Sequence, residues 1–291
     1  MFSMLSFTNV VRNFSIPALL AVSIMVGSTS CKGGKDKEKE SSKDTTKMDA
    51  SSIAIPTGLG SPITLDPSKR YIYLAFDDGP QPPGTINCKN IFHEEGVKAS
   101  FFLVGAHMFD PLRRRIVDSL NNSYPEFVTG NHSTTHGFRD KYASFYSHPD
   151  SAIKDFEKAQ TDLNLKLKIA RLPGMNTWAS AGQVQGPKSS LKVAKALDSL
   201  GYTIIGWDVE WQFIKGSTPK QGAEELVAQV ASKFDQEYTY QPNTLVILAH
   251  DRMFAKPQYE DSLRKFISIL KQDKRNVFET LDHYPTVQNR K

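Results

Sequence analysis

Cysteine is nearly absent from this chain of 291 residues, which contains only Cys31 and Cys88. Two cysteines cannot form a disulfide framework, so the sequence excludes the small secreted scaffolds that depend on several disulfides. A large excess of charge is also lacking, because 36 basic and 31 acidic residues leave a net charge of +5. No basic stripe is interleaved with aromatic residues, and we therefore expect no nucleic-acid partner. The hydrophobic content of 39% excludes a chain disordered throughout and predicts a globular protein.

The N-terminal region lacks a hydrophobic run long enough to span a bilayer comfortably. Residues 16–26 (IPALLAVSIMV) form an apolar run of eleven, which is the length of a signal-peptide core. Arg12 precedes this run, and small residues followed by Cys31 come after it. The pattern resembles a bacterial lipoprotein signal, with Ser28 where a bulky aliphatic residue is usual. We expect cleavage of residues 1–30 and lipidation of Cys31; the alternative is an ordinary signal peptide in which this cysteine is incidental.

Residues 31–60 are predicted to form a flexible, charged tether. Between Lys32 and Asp49 the sequence has six lysines and five acidic residues and almost no apolar side chain. Such a segment cannot bury enough apolar surface to fold. We expect the tether to hold a folded domain, residues 61–291, away from a membrane. The predicted location is the cell envelope, with a monomeric protein lipid-anchored to the outer membrane on its periplasmic or surface side.

Short apolar strands alternate with helices from about residue 61 onwards, with no linker and no internal repeat. The predicted strands are 71–76, 99–104, 126–129, 169–171, 202–207 and 244–249, and the predicted helices are 87–95, 111–120, 150–165, 188–200, 221–234 and 259–271. This alternation indicates a parallel sheet covered on both faces. About seven such units in roughly 220 residues favour an α/β fold: a distorted, nearly closed (β/α) barrel of about seven parallel strands. A doubly wound open sheet is the alternative.

Polar side chains follow five of these strands at their carboxyl ends, where either fold places an active site. Asp77 and Asp78 follow the first strand, and His132 and His136 lie four residues apart after the third. If the segment turns helically there, both imidazoles share one face and can bind one metal ion. The later strands end in Arg171, in Asp208 and Glu210, and in His250. Each group alone also fits a structural role, such as an acidic turn, but five at one rim indicate an active site.

Together these motifs resemble those of the NodB-homology polysaccharide deacetylases, carbohydrate esterase family four. The segments LAFDDGP, GNHSTTH and LVILAHD are similar to the first, second and fifth motifs of that family and occur in the same order. RLPG and TIIGWDVEW match the third and fourth motifs in part. The resemblance covers about residues 71–284 and implies that residues 61–291 are a polysaccharide deacetylase catalytic domain.

The resemblance implies a catalytic metal held by Asp78, His132 and His136. Three protein ligands leave positions open for water and substrate, as in catalytic rather than structural metal sites. Zinc is the metal expected, and cobalt or nickel suits the same ligands.

The resemblance also implies an acid–base pair. Asp77 is expected to act as the general base on a water molecule that the metal activates, and His250 as the general acid on the leaving group. Arg171 is expected to hold Asp77 ionised and oriented. An acid of the fourth motif would orient His250; Asp208 is favoured over Glu210 for this role.

Four further residues are expected to contact substrate. A backbone N–H near Gly174 would bind the oxyanion, and Leu248 would line a small pocket for the acetyl methyl group. Trp207 and Trp211 would form the pocket wall or stack on a sugar, with core packing an equal alternative for each. The remaining histidines are predicted to be surface or packing residues, and Cys88 a buried apolar one; these histidines are His93, His107, His148 and His283.

The function expected from these residues is removal of acetyl groups from an N-acetylated or O-acetylated polysaccharide of the envelope or the extracellular space. Peptidoglycan and chitin-like oligomers are the expected partners. One alternative is a tethered glycan-binding lipoprotein with a degenerate active site. Another is a hydrolase of a different amide, because the fold alone does not fix the substrate.

Overall fold

The structure, a computed structural model, describes residues 60–290. Twelve strands occur in this range, and ten of them form one sheet. The strands are β1 (Arg70–Gly79), β2 (Ala99–Leu103), β3 (Phe127–Asn131), β4 (Ile169–Ala170), β5 (Trp178–Ser180), β6 (Gln183–Gln185), β7 (Thr203–Ile204), β8 (Val209–Glu210), β9 (Phe213–Ile214), β10 (Thr218–Pro219), β11 (Thr244–His250) and β12 (Asn276–Phe278).

Helices connect the long strands, as the sequence predicts. They are α1 (Gly84–Glu95), α2 (Pro111–Asn121), α3 (His136–Asp140), α4 (Tyr142–Ser147), α5 (Pro149–Asp162), α6 (Leu191–Ser199), α7 (Ala223–Asp235), α8 (Pro257–Leu270) and α9 (Pro285–Gln288). Local signals explain where several begin and end. The Asp110 side chain caps α2 by accepting a 2.9 Å hydrogen bond from the Arg113 amide. Gly96 ends α1 with a left-handed φ of 61°.

The sheet is curled but open, a half-barrel of mostly parallel strands. Its order is β6-β5-β7-β4-β3-β2-β1-β11-β8, and β12 pairs with the beginning of β1. The α/β class is confirmed, whereas the nearly closed barrel of about seven parallel strands is wrong in its closure and its strand count. The physical reason lies at the two edges. At one edge β5 and β6 form an antiparallel hairpin, and at the other the two-residue strand β8 pairs only with β11.

The centre of the sheet positions the candidate site. Residues 71–79 of β1 are buried, as are residues 244–249 of β11. One face of β1 packs against helices that include α1 and α8, and its other face packs against side chains of neighbouring strands inside the curled sheet. β1 runs parallel to β11, and the register pairs Tyr71 with Thr244 and Asp77 with His250. The two polar residues therefore lie side by side at the carboxyl end of the sheet.

The predicted signal peptide, the lipidation site at Cys31 and most of the predicted tether lie outside residues 60–290. Within that described range, no helix is long and apolar enough to cross a membrane.

Candidate active site

Three side chains converge at the carboxyl ends of β1 and β3. Asp78, His132 and His136 each offer one ligand atom, and these atoms lie within 4.8 Å of one another. Asp78 Oδ1 is 3.6 Å from His132 Nε2 and 3.1 Å from His136 Nε2. That oxygen is buried and has no hydrogen-bond partner within residues 60–290. An orphaned carboxylate oxygen facing two imidazole nitrogens fits a divalent metal ion, because isolated buried charge is otherwise costly.

The backbone around these ligands departs from the helical turn considered in the sequence analysis. β3 ends at Asn131, whose side-chain oxygen accepts a 2.9 Å hydrogen bond from the Ser133 amide. Such local side-chain hydrogen bonding favours a turn over a helix. Asp78, Ser133 and His136 all have left-handed φ, at 72°, 65° and 50°. The two imidazoles still meet, with ring centroids 5.0 Å apart, so the site forms through irregular backbone.

The charges around Asp78 favour its ionised form. Burial alone raises the pKa of this carboxyl, but His250, His136, His132 and Arg252 together lower the pKa below its ordinary value. Burial also keeps the pKa of His132 well below its usual range. An ionised carboxylate beside a neutral imidazole is the state in which both groups bind a metal.

Asp77 lies beside this cluster and contacts Arg171 as predicted. Arg171 Nη1 donates to Asp77 Oδ1 over 2.8 Å, and both residues are buried. Burial nevertheless raises the pKa of Asp77 to about 7, with the Asp78 charge contributing, and Arg171 only partly opposes this rise. Arg171 therefore favours the ionised carboxylate, as expected, while burial favours the protonated form. A carboxyl group with a pKa near 7 is suited to accept a proton at neutral pH.

Arg171 is held rigidly from several sides. Its Nε donates to the carbonyl of Ile205 over 3.1 Å, and its Nη2 donates to the carbonyl of Gly206 over 2.8 Å. The guanidinium also stands 4.4 Å from the centre of the Phe102 ring. Because every side of this cation is occupied, its contact with Asp77 has little freedom to change.

His250 lies on the other side of Asp78, with its Nε2 3.8 Å from Asp78 Oδ2. Burial lowers the pKa of His250 to about 4, although the Asp78 charge opposes this shift. Its Nδ1 is buried and has no hydrogen-bond partner among the described residues. The Phe213 ring packs edge-on against the imidazole at 4.9 Å between centroids.

The predicted support of His250 by Asp208 is not what the structure shows. Both oxygens of Asp208 accept backbone hydrogen bonds, from the Tyr240 amide at 2.7 Å and from the Val246 amide at 2.8 Å. Asp208 therefore connects the loop at Tyr240 to β11 by hydrogen bonds, and neither of its oxygens is bonded to the imidazole of His250. Glu210 lines the pocket around the site, but no hydrogen bond within residues 60–290 joins it to His250.

A pocket of about 460 Å³ opens above these groups. Gly174, Trp207 and Leu248 line it, where substrate contacts were expected. Trp211 does not: it is 1% exposed, and its Nε1 donates to the carbonyl of Gln221 over 3.0 Å. For Trp211 the core-packing alternative holds, because its indole packs on the buried rings of α8 and the preceding turn.

This pocket is also lined by four residues that were not expected there from the sequence: His107, Asp140, Tyr142 and Arg252. His107 Nδ1 donates to the Asp78 carbonyl over 2.7 Å, so its expected packing role includes the site itself. Arg252 Nη1 is 2.9 Å from Asp78 Oδ2. The signal for Arg252 was its position two residues after His250.

The remaining residues for which the sequence made a prediction do not line this pocket. His93 and His148 are exposed and His283 is buried, which agrees with the surface or packing roles predicted for them. Cys88 is a buried free cysteine, as predicted.

Comparison with known proteins shows which family and which folds this chain resembles. Residues 64–202 match the family model described as Polysaccharide deacetylase. Among curated proteins, the chain is 24% identical over 172 residues to an uncharacterized 30.6 kDa protein of Geobacillus stearothermophilus. That match spans 57% of this chain and 57% of the length of the relative.

Solved structures share the fold. The catalytic domain of a peptidoglycan N-acetylglucosamine deacetylase from Eubacterium rectale is 21% identical, with 81% of this chain and 98% of that chain covered at a TM-score of 0.53. A carbohydrate esterase of family four from Streptococcus mutans is 22% identical, with 73% of this chain and 86% of that chain covered at a TM-score of 0.55. The family model supports the polysaccharide deacetylase predicted from the motifs, and these solved structures share its fold. Residues 64–202 of this chain are therefore similar to a polysaccharide deacetylase domain.

Proposed function

We propose that this protein is a metal-dependent hydrolase that removes acetyl groups from an N-acetylated or O-acetylated polysaccharide of the cell envelope. The observation that carries the proposal is the convergence of Asp78, His132 and His136 in one pocket, with Asp77 and His250 on either side. A degenerate binding module would not need all five groups to remain together.

The chain's own residues divide the work of hydrolysis. Asp78, His132 and His136 would hold a divalent metal ion, which would acidify water and polarise an acyl carbonyl. Asp77 is the group that accepts the proton from the attacking water, because its carboxyl lies beside the three ligands, with Oδ2 3.6 Å from His132 Nε2. Burial also raises its pKa to about 7, which suits a base at neutral pH. Arg171 fixes the orientation of Asp77 through the 2.8 Å contact.

His250 donates a proton to the leaving nitrogen or oxygen. Its Nε2 faces the reacting centre from the strand next to Asp77, so the base and the acid approach from two sides. Burial lowers the pKa of the free imidazole to about 4. The proton that His250 passes to the leaving group is the one that the attacking water gives up through Asp77, so the reaction consumes no proton overall. An alcohol leaves more readily than an amine, so ester substrates demand less of this group.

Leu248 and Trp207 line the pocket beside His250 and suit an acetyl group. Leu248 provides an apolar wall for a methyl group, and Trp207 provides a flat surface for a sugar ring. Gly174 lies at the same pocket with φ of 68°, and we assign an amide of this turn as donor to the oxyanion.

The proposal includes a substrate, peptidoglycan or a chitin-like oligomer, and a location at the cell envelope. A neighbour of the same fold is named as a peptidoglycan N-acetylglucosamine deacetylase, which supports peptidoglycan or a chitin-like oligomer as the substrate here. Lipidation of Cys31 would hold the domain at the envelope, within reach of such a polymer. Zinc is the metal we expect, with cobalt and nickel as alternatives for the same donor set.

Acetate release tests the proposal directly. The full-length protein is loaded with zinc, cobalt or nickel and incubated with chitin oligomers, peptidoglycan and acetylated xylan. We expect metal-dependent release from at least one glycan, and release at least about 100-fold slower from Asp77→Asn. If the metal-bound protein releases no acetate from any of these glycans, the proposed substrate class is wrong. If the protein binds no metal, the proposed metal-dependent hydrolase is wrong.

A further inference from the structure

Each of the three candidate metal ligands has a second polar contact behind it. These contacts differ in chemistry. His132 Nδ1 donates to the backbone carbonyl of Arg171 at 2.9 Å, and Asp78 Oδ2 forms an ion pair with Arg252 Nη1 at 2.9 Å. His136 Nδ1 donates to the carboxylate oxygen Oδ1 of Asp140 at 2.5 Å. Only His136 has a carboxylate behind its ring. Because a carboxylate accepts hydrogen bonds but cannot donate when ionised, His136 Nδ1 must carry the hydrogen. The lone pair of His136 is then at Nε2, which faces Asp78.

An unusual backbone brings Asp140 to this position. All five residues of α3 have left-handed φ between 50° and 64°. A left-handed turn costs each non-glycine residue free energy, and single residues rather than runs are the rule. Only Gly137 adopts this conformation at little cost. A strained segment of this kind persists only where surrounding contacts hold it, and such segments concentrate at functional sites.

Tyr142 supplies one of those contacts. Its hydroxyl donates to Asp140 Oδ1 over 3.0 Å, so the oxygen that faces His136 is held from both sides. The Tyr142 ring lies over Gly137 and Gly174, where an added Cβ would stand 2.8 Å and 2.9 Å from ring carbons. Two glycines therefore leave the space that this ring occupies. The ring also packs edge-on against His136, with centroids 5.9 Å apart.

We propose that Asp140 is a positioning residue of the metal site: it fixes the tautomer and ring orientation of His136 and makes its Nε2 a stronger ligand. Tyr142 in turn positions Asp140. A carboxylate behind a metal-binding histidine acts in this way in many metal sites, and its removal weakens metal binding about 10-fold to 100-fold. Asp140 is 70% exposed, and water screens its charge, so the lower end of that range applies here. The inference rests on the proposed metal-dependent function.

Zinc affinity is the quantity to measure, by competition with a chromophoric chelator on the full-length protein. We expect Asp140→Asn, which removes the charge, to weaken zinc binding about 10-fold, and Asp140→Ala, which also removes the acceptor, to weaken it at least as much. Tyr142→Phe keeps the ring between the glycines and loses only the hydroxyl, so its effect should be smaller. Asp118→Asn is the matched control, because Asp118 is exposed on α2 and the change in net charge is the same.

The visible absorption of bound cobalt gives a second readout that does not depend on turnover. Ligand geometry sets this spectrum, so Asp140→Ala should shift it and Asp118→Asn should not. The metal-free variants should melt at the temperature of the unchanged protein, which separates an effect on the site from loss of the fold. Unchanged zinc affinity and an unchanged cobalt spectrum in Asp140→Ala would overturn this inference alone. No zinc binding by the unchanged protein would overturn the proposed function as well.

Discussion

Buried acids and histidines lie at both ends of β1, but they are arranged in opposite ways. At the carboxyl end, the ligand atoms of Asp78, His132 and His136 face one common point. The opposite-end cluster consists of Glu279, Asp282 and His283, and it follows β12, which pairs with the beginning of β1.

In the opposite-end cluster the imidazole lies between two carboxylates instead of beside them. His283 Nδ1 is 3.1 Å from Glu279 Oε1, and its Nε2 is 3.7 Å from Asp282 Oδ2. Each acid faces a different ring nitrogen, so the three groups cannot share one ion. Lys98 Nζ also donates to both oxygens of Glu279 at 2.7 Å and 2.9 Å. Residue type and burial alone therefore do not make a metal site; the ligand atoms must also converge on one point.

The largest effect should come from the base at the carboxyl end. Asp77→Asn keeps the shape and the contact with Arg171 but removes the proton acceptor, so acetate release should fall about 100-fold to 10,000-fold. Zinc affinity should change far less, because Asp77 is not one of the three converging ligands. Single-turnover acetate release and chelator competition measure the two quantities. Loss of zinc binding equal to that of a ligand variant would show that Asp77 is itself a ligand.

The next largest effect separates the two ends by metal affinity. Asp78→Asn should weaken zinc binding more than about 100-fold, beyond the usual cost of removing an outer contact. Asp282→Asn makes the same chemical change at the opposite end and should leave zinc affinity unchanged. Chelator competition checks both variants, and each must first be shown to fold by its thermal melt. A comparable loss of zinc affinity in Asp282→Asn would show that the opposite-end cluster also takes part in zinc binding.

The sequence predicted the carboxyl end well because the signals there are local and ordered along the chain. Asp77, Asp78 and His250 directly follow long apolar strands, and the parallel sheet brings such strand ends together. Asp140 was missed because its approach to His136 depends on a left-handed turn, which residue spacing does not reveal. The support expected from Asp208 failed for a similar reason: which neighbour a side chain chooses depends on tertiary packing.

Whether the sheet closes into a barrel could also not be predicted from the sequence pattern. Two-residue strands such as β7 and β8 carry too few residues to show a periodicity. The antiparallel hairpin of β5 and β6 consists of three-residue strands, which are also too short to show a period. The long strands fix the class of fold, and the short edge strands decide whether a barrel closes.

A smaller effect is expected from the opposite-end cluster, and it concerns stability. Glu279 is 6% exposed and accepts hydrogen bonds from Lys98 and from the Thr280 amide at 2.9 Å. Glu279→Gln removes the charge that balances Lys98 and should lower the free energy of unfolding by about 1 to 3 kcal/mol. Urea titration measures this change, with Glu157→Gln, on the exposed face of α5, as the control. Acetate release per folded molecule should stay unchanged; a specific loss of activity would mean that the two ends are coupled.

The smallest effect is a difference in the sign of the pH dependence of stability in metal-free protein. The pKa of Asp77 is raised from 3.8 to about 7 by burial, so its contribution to folding is full below pH 3.8 and is lost as the pH rises towards 7. Glu279 behaves oppositely. Burial alone would raise its pKa, but Lys98, the Thr280 amide and His283 together lower it from 4.5, so its contribution is full above that pH and is lost in acid.

In chelator, Asp77→Asn should therefore gain stability relative to the unchanged protein between pH 5 and pH 8, by about 1 kcal/mol or more. Glu279→Gln should show the same deficit at both of these pH values, and the deficit should shrink below pH 4.5, the ordinary pKa of its carboxyl. Urea titrations at pH 4, 5 and 8 measure both trends. A constant difference for Asp77→Asn across this range would mean that the ion pair with Arg171 outweighs burial after all. The carboxyl end would then resemble the opposite end in its electrostatics, and only the convergence of its ligands would distinguish it.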